Sequence, residues 1–268
     1  MNVFNGVADF ERETDLEPAG DGCWNTELSS AWNIGPNPNG GYAAAPVLRA
    51  MRQVAGGPDP VSVTTHFLRP AIADEPAGVT ARLEKRGRSL TAVTGSLSQH
   101  GVTRVLSVAA FGDVSVDGPN RLSEPAPELP APDDCVGRHG LEVGVDVALD
   151  KRIDVRLDPA TSVAGSQPIA EIRGWVRFTD ERAPDTLALP VFADAFPPAA
   201  YVHLEPVGWI PTVELTVHVR RRPVAGWIRA RFTCNDLAGD RLVEDGILWD
   251  ASGQVVARAR QVAQILRT

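Results

Sequence analysis

The order of apolar segments along the chain occurs twice, and this internal repeat is the strongest constraint on the fold. The segment GGYAAAPVLRAMRQVAGG (residues 40–57) has apolar residues at helical spacing and glycines at both ends. Four strand-like segments follow it, the last two joined by a hairpin-like break at residues 100–101. The shorter apolar segment PDTLALPVFADAF (residues 184–196) is again followed by four such segments, with the matching break at residues 252–253. The chain therefore contains two copies of one unit, a helix followed by antiparallel strands.

A proline-rich stretch separates the two copies. The sequence GPNRLSEPAPELPAPDD (residues 118–134) is rich in Pro, Glu and Asp and has no hydrophobic periodicity, which is typical of a linker. It divides the chain into an N-terminal unit (residues 1–117) and a C-terminal unit (residues 135–268). A helix on one antiparallel sheet is an α+β arrangement. Two such units in one chain predict a pseudo-dimer.

The charge and composition of the chain limit its partners. A net charge of −8 and a pI of about 5.2 argue against nucleic acid and against an anionic membrane surface. The cysteines and histidines are scattered without metal-ligand spacing, so we expect no disulfide, structural zinc or other cofactor. The N-terminus has no basic region followed by an apolar core, and no apolar stretch is long enough to cross a bilayer. We expect a cytoplasmic protein.

Three polar residues interrupt apolar elements and are candidates for chemistry. Asp194 lies in the second helical segment, Thr212 opens the next strand, and Gln261 interrupts the last strand. Because a helix that crosses a sheet can approach both strands, the three side chains can hold one water. The carboxylate would take its proton, while the hydroxyl and the amide would orient it. The alternative is that each residue faces solvent or caps local backbone groups. We predict that Asp194 is less than half exposed and within one water of the other two.

At these positions the sequence resembles the TesB-like acyl-CoA thioesterases, whose fold is a double hotdog. In the first half, NGGYAAAPVLRAM is similar to the family's FGGQ helix start, and THFLRP is similar to its SYFLRP strand. In the second half, FADAF resembles YASDL, which puts Asp194 on the catalytic aspartate. PTVELTVHVRRRP resembles ATIDHSMWFHRPF, and DGILWDASGQVVARARQVA resembles GEFYTQDGVLVASTVQEGV. These two matches put Thr212 and Gln261 on the family's active-site threonine and glutamine.

The resemblance implies two tandem antiparallel sheets, each wrapped on a central helix, and a role in fatty acid metabolism. The implied reaction is hydrolysis of acyl-CoA to the free acid and CoA, with one site per chain. Backbone N–H groups at the start of the first helix would stabilise the thioester oxygen, aromatic side chains would line the acyl chain, and an arginine would bind phosphate. The substrate-binding residues expected on this basis are Asn39, Gly40, Gly41, Tyr42, Phe192, Phe196, Trp209 and Arg88.

Three departures from the family pattern leave alternatives open. Glu214 occupies the position of a histidine, Tyr42 replaces a glutamine, and Pro197 and Pro198 follow Asp194 closely, where they should end the helix. A non-catalytic acyl-CoA or lipid-binding protein would keep the fold without turnover. A hotdog enoyl-CoA hydratase or dehydratase would pair a histidine with a carboxylate in a short motif, which we do not find. Exposed sheet edges would favour a homo-oligomer.

Overall fold

A computed structural model describes residues 8–115, 119, 121–138, 145–204 and 208–266. The helices there are α1 (Asp9–Arg12), α2 (Gly40–Ala55), α3 (Ala188–Ala193) and α4 (Ala200–His203). The strands of the first half are β1 (Glu17–Gly20), β2 (Cys23–Glu27), β3 (Asn33–Ile34), β4 (Asn37–Pro38), β5 (Asp59–Phe67), β6 (Pro76–Arg86), β7 (Thr91–Gln99) and β8 (Val102–Gly112). Those of the second half are β9 (Val136–Gly137), β10 (Ile153–Leu157), β11 (Ala170–Phe178), β12 (Thr212–Val219), β13 (Ile228–Ala238), β14 (Arg241–Trp249) and β15 (Val255–Gln264). No helix among the described residues is long and apolar enough to cross a membrane.

The two halves share one continuous antiparallel sheet. Thirteen of the described strands form it, in the order β1-β2-β6-β7-β8-β5-β12-β15-β14-β13-β11-β10-β9. The halves meet where β5 pairs with β12, with Thr64 opposite Thr216. The α+β double-hotdog fold is thus confirmed, but the two predicted sheets are joined edge to edge. The domain boundary near residue 118 stays a proposal, because residues 116–118 and 120 lie outside the described part.

The first half is built on α2, which begins and ends close to the predicted positions. Asn39 caps the helix by accepting a hydrogen bond from the backbone N–H of Tyr42 (3.0 Å). The helix ends at Gly56, whose φ of 96° belongs to the left-handed region that favours glycine. Almost every residue from Gly41 to Met51 is buried. This helix therefore forms the centre of the core rather than an amphipathic surface element.

The second half has a broken helix in the equivalent position. The predicted helical segment, residues 184–196, forms only the short α3, and α4 follows after the two prolines. Pro197 and Pro198 cannot continue an α-helix, because proline lacks the N–H and its ring clashes with the preceding turn. Asp194 is consequently the C-terminal cap residue of α3, with φ −103° and ψ 3°, and not a residue within the helix.

A short N-terminal segment ties the two halves together. Phe10 on α1 is buried and stacks on Phe178 of the second half, with ring centroids 5.2 Å apart. The guanidinium groups of Arg49 and Arg182, one from each half, lie 5.3 and 5.1 Å from its ring centroid. Next to it, Glu13 accepts hydrogen bonds from Trp32 and from Arg152, again one from each half. This segment thus adds a second connection between the halves besides the sheet.

Phe10→Ala is expected to lower the free energy of unfolding by about 3–5 kcal/mol, the usual cost of deleting a buried phenylalanine ring. The loss combines apolar burial with the cation–π contacts of two arginines. Urea unfolding measures it, with Leu122→Ala as the matched control, because Leu122 is 98% exposed. A Phe10→Ala protein as stable as the control would refute the bridging role of α1.

Candidate active site

Asp194 is directed at the start of α2 by the close contact between α2 and α3. A Cβ atom on Gly41 would lie 2.9 Å from the Asp194 Cβ and 3.0 Å from the Val191 Cα. Only glycine allows the two helices to approach so closely. The consequence is that the carboxylate of a residue from the second half meets the N-terminus of the helix of the first half.

One oxygen of the carboxylate is held by that N-terminus. Asp194 Oδ2 accepts the backbone N–H of Gly41 (2.7 Å) and the side-chain amide of Asn39 (2.9 Å). The Asn39 amide also donates to the Asp194 backbone carbonyl (2.9 Å). The helix N-terminus carries a partial positive charge that favours an anion at this point. Asn39 and Gly41 therefore hold the Asp194 carboxylate in position and favour its ionised form. This role was not predicted from the sequence.

The other carboxylate oxygen faces the two remaining candidates. Thr212 Oγ1 lies 3.3 Å from Asp194 Oδ1 and 2.8 Å from Gln261 Oε1. Thr212 opens β12, and Gln261 lies on the adjacent strand β15. The structure thus brings together the carboxylate, the hydroxyl and the carboxamide grouped from the sequence, and Asp194 is half-buried.

Two opposing effects set the pKa of Asp194: burial disfavours the ionised form, whereas nearby donors and a positive charge favour it. Burial raises the pKa of Asp194 to about 6, because the charged form loses hydration. Hydrogen bonds from Gly41 and Asn39 lower the pKa, as does the positive charge of Arg138. Arg138 is buried and donates to the backbone carbonyl of Ala195, next to Asp194 in the chain. A carboxyl with such a pKa is ionised near neutral pH and basic enough to accept a proton.

A second buried carboxylate was missed by the sequence analysis. Glu244 on β14 lies opposite Gln261 in the sheet and accepts a hydrogen bond from Gln261 Nε2 (2.6 Å). Its other oxygen accepts the backbone N–H of Ala199, and burial raises its pKa to about 7. The alternation of Leu242, Glu244 and Gly246 on one face of the strand could have revealed it, since the neighbours on that face are buried.

A cavity of about 720 Å³ opens next to these groups. Asp194, Thr212 and Gln261 line it together with Asn39 and Gly40. Much of the remaining wall is apolar and comes from both halves: Ile34, Phe67, Val105, Phe196, Trp209, Ile210 and Leu266. A long apolar wall with a few convergent polar groups is the usual form of a small-molecule site. Of the aromatic residues predicted to contact the acyl chain, Phe196 and Trp209 are part of this wall.

Four of the predicted substrate-binding residues do not line the cavity. Gly41 is buried, and its N–H is bound to Asp194. Tyr42 is fully buried, stacks on Trp32 with ring centroids 4.5 Å apart, and donates its hydroxyl proton to the carbonyl of Glu13. Phe192 is fully buried against Phe178 in the core. Arg88 lies in the turn between β6 and β7, outside the lining of the cavity.

The reason for the Tyr42 and Phe192 errors is that both helices are buried on nearly all sides, so helical spacing alone does not indicate which side faces the cavity. The Arg88 prediction is wrong because the turn that holds Arg88 lies at the opposite end of α2 from the site. The β6–β7 turn is near the C-terminal end of α2, where Arg86 approaches Gly56, whereas the site is at the N-terminal end. A helix of this length, at 1.5 Å per residue, separates the two ends by roughly 20 Å.

The sequence of the chain matches known family models over both halves. Residues 28–112 match the acyl-CoA thioesterase N-terminal domain, and residues 124–265 match the acyl-CoA thioesterase C-terminal domain. The chain belongs to the acyl-CoA thioesterase family. The TesB-like resemblance is thereby confirmed. An uncharacterized protein of Mycobacterium tuberculosis is 30% identical to this family member, with 99% of each chain covered.

Solved structures of the family agree with this fold. A Thermobifida fusca protein assigned as a thioesterase II is 30% identical and superposes with a TM-score of 0.88, over 97% of this chain and 98% of that one. The acyl-CoA thioesterase II TesB2 of Mycobacterium marinum is 20% identical, with a TM-score of 0.76 over 97% and 98% of the two chains. At that lower identity the likeness concerns the fold alone.

Proposed function

We propose that the protein hydrolyses acyl-CoA thioesters to the free acid and CoA, with Asp194 as the general base. The observation that carries this proposal is the contact of Asp194, Thr212 and Gln261 at the wall of a largely apolar cavity. Membership in the acyl-CoA thioesterase family supports the same reaction class. The carboxylate keeps Oδ1 directed toward the hydroxyl of Thr212, while Oδ2 is engaged by α2.

In this mechanism a water next to Asp194 Oδ1 attacks the thioester carbonyl carbon. Asp194 accepts one proton of the water as its oxygen bonds to carbon, and the carbonyl oxygen takes up negative charge. The C–S bond of the tetrahedral intermediate then breaks. The proton on Asp194 passes to the leaving sulfur, which gives the CoA thiol, the free acid and the ionised base.

The start of α2 supplies one donor for the developing oxyanion. The N–H of Gly41 binds Asp194, and the N–H of Tyr42 binds the cap residue Asn39. This leaves the N–H of Gly40, which lines the cavity, to donate to the thioester oxygen. The sequence predicts this task for residues 39–41 together, whereas the hydrogen bonds favour Gly40 alone.

In this proposal the apolar wall of the cavity binds the acyl group, and an arginine of the cavity lining binds the CoA phosphates. Phe196, Trp209 and Ile210 border the cavity beside Thr212 and offer an apolar surface to the acyl chain. Arg69 also lines the cavity and is exposed, so it replaces Arg88 as the candidate for the CoA phosphates. An acyl-CoA substrate in this orientation puts its thioester at the carboxylate.

At acid pH the rate of hydrolysis should fall as Asp194 becomes protonated. Because the base must be ionised, kcat/KM is expected to fall as the pH drops through about 6, the raised pKa of this carboxyl. Below that point the rate should decrease roughly tenfold per pH unit. Initial rates of CoA release in buffers of constant ionic strength measure the profile. A rate that does not change between about pH 5 and 8 would contradict this assignment of the base.

The direct test of the proposed function is a panel of acyl-CoAs of short, medium and long chains, including aromatic ones. Release of CoA thiol is followed with a thiol reagent, and binding is measured in parallel by calorimetry. Turnover that is highest for one acyl length supports hydrolysis. Tight binding of one member with no thiol release identifies a non-catalytic acyl-CoA-binding protein, and water addition to an enoyl-CoA would identify a hydratase.

A further inference from the structure

Glu244 is a fully desolvated carboxylate that the mechanism above does not use. It is 2% exposed, and both its oxygens accept hydrogen bonds from N–H groups. One donor, the backbone N–H of Ala199, belongs to the segment that follows Asp194. The other, Gln261 Nε2, is 2.6 Å away. A carboxylate that only accepts hydrogen bonds, as this one does, matches the ionised form.

This arrangement determines which end of the Gln261 amide faces the active site. Since the NH₂ group of Gln261 donates to Glu244, its Oε1 is turned toward Thr212. A threonine hydroxyl has a single proton. Thr212 Oγ1 lies 2.8 Å from Gln261 Oε1 but 3.3 Å from Asp194 Oδ1, so its hydroxyl donates to Gln261 and not to the base. Asp194 Oδ1 and the lone pairs of Thr212 are then both free to accept the two protons of one water.

We infer that Glu244 is a positioning residue whose negative charge sets the direction of the hydrogen-bond relay Glu244–Gln261–Thr212–Asp194. This inference rests on the proposed hydrolysis. With the amide reversed, Gln261 would donate to Thr212, and Thr212 would donate its proton to Asp194. One acceptor position of Asp194 Oδ1 and one lone pair of Thr212 would then be occupied, so fewer acceptors would face the attacking water. The relay therefore acts on the rate of the chemical step and not on substrate binding.

Glu244→Gln tests the relay without changing the shape of the side chain. The backbone N–H of Ala199 is a fixed donor, so the new amide must present its oxygen there and its NH₂ group to Gln261. This forces Gln261 to reverse. We expect kcat to fall about 10- to 100-fold, as for misalignment of a reacting group, with KM changed by less than about threefold. Glu84→Gln, at an exposed position of β6, is the matched control and should leave both constants unchanged.

The double variant Glu244→Gln/Gln261→Glu shows whether the loss of activity comes from reversed hydrogen bonds or from altered packing. The amide at position 244 would donate to the carboxylate at position 261, which would again accept the proton of Thr212. We expect the double variant to regain at least about tenfold in kcat over Glu244→Gln, because the relay runs in its original direction. An unchanged kcat in Glu244→Gln, or a double variant no more active than the single one, would overturn the inference.

A second measurement does not depend on turnover. In wild-type protein labelled with ¹⁵N-glutamine, the Gln261 side-chain resonance, assigned by its loss in Gln261→Glu, should shift as Glu244 titrates. The ionisable groups whose charges act on Glu244 are Asp194 across the relay, Cys234 on β13, and Asp245, the next residue on its own strand. Burial raises the pKa of Cys234 to about 11, outside the range of interest.

The remaining contributions are separated by repeating the titration in Asp194→Asn and Asp245→Asn. A Gln261 resonance that still titrates in both variants supports the relay, and one that does not respond to pH in the wild type overturns it. If the wild type released no CoA from any substrate, the proposed hydrolysis would fail, whereas this titration would still decide the relay.

Discussion

Asp194→Asn is expected to lower kcat for acyl-CoA hydrolysis by about 10²- to 10⁴-fold, the usual contribution of a general base. The amide oxygen can still accept the Gly41 N–H, so the contact with α2 and the affinity for acyl-CoA should remain. What is lost is the ability to take a proton from water. Thiol release under substrate saturation measures kcat, and calorimetry with a non-hydrolysable thioether analogue measures Kd.

The matched control for this variant is Asp146→Asn. Asp146 also lines the cavity, but it is not part of the group formed by Asp194, Thr212 and Gln261. It should retain nearly all of the wild-type kcat. If Asp194→Asn kept more than about a tenth of the activity, or lost no more than the control, another group would be the base.

Gly41→Val is the second substitution with a large expected effect, because it acts on the geometry that presents the base. The added side chain would meet the Asp194 Cβ at 2.9 Å and the backbone carbonyl of Pro190 at 3.1 Å. Two packed helices would have to separate, at a cost of about 1–3 kcal/mol or more in the free energy of unfolding. Since a shift of about 1 Å at the base can cost roughly 10²-fold in rate, kcat should fall at least that far.

Gly78→Val provides the comparison for this prediction. Gly78 lies on β6, and no described atom is within 4 Å of a Cβ added there. Chemical denaturation and thiol release are measured on both variants. Wild-type activity in Gly41→Val would mean that the close approach of α2 and α3 does not position Asp194, and the account of the site would have to change.

The parts of the fold that were predictable from the sequence are those with local signals. Gly56 ends α2, as the glycines at the end of the segment indicated. His100 and Gly101 both have positive φ values in the predicted hairpin turn. The joining of the two sheets through β5 and β12 has no such signal, because pairing between distant strands depends on packing of the whole chain.

The candidate site was only partly predictable for the same reason. Asp194, Thr212 and Gln261 were visible because each is a polar residue on an apolar element. Tyr42 was assigned to the wrong side of α2, because a helix that is buried all round gives no indication of its active face. The function of Gly41 depends on a contact with α3 in the other half of the chain. A single helix start cannot reveal such a contact.

In the proposed mechanism, a water activated by Asp194 attacks the thioester directly. A single turnover of the preferred acyl-CoA in H₂¹⁸O, with enzyme in excess, tests it most closely. We expect the free acid released in this first turnover to carry ¹⁸O from the solvent, CoA to be released with it, and Asp194 to gain no label. Unlabelled acid together with ¹⁸O in Asp194 would mean that the carboxylate itself attacks the substrate, and would contradict the account.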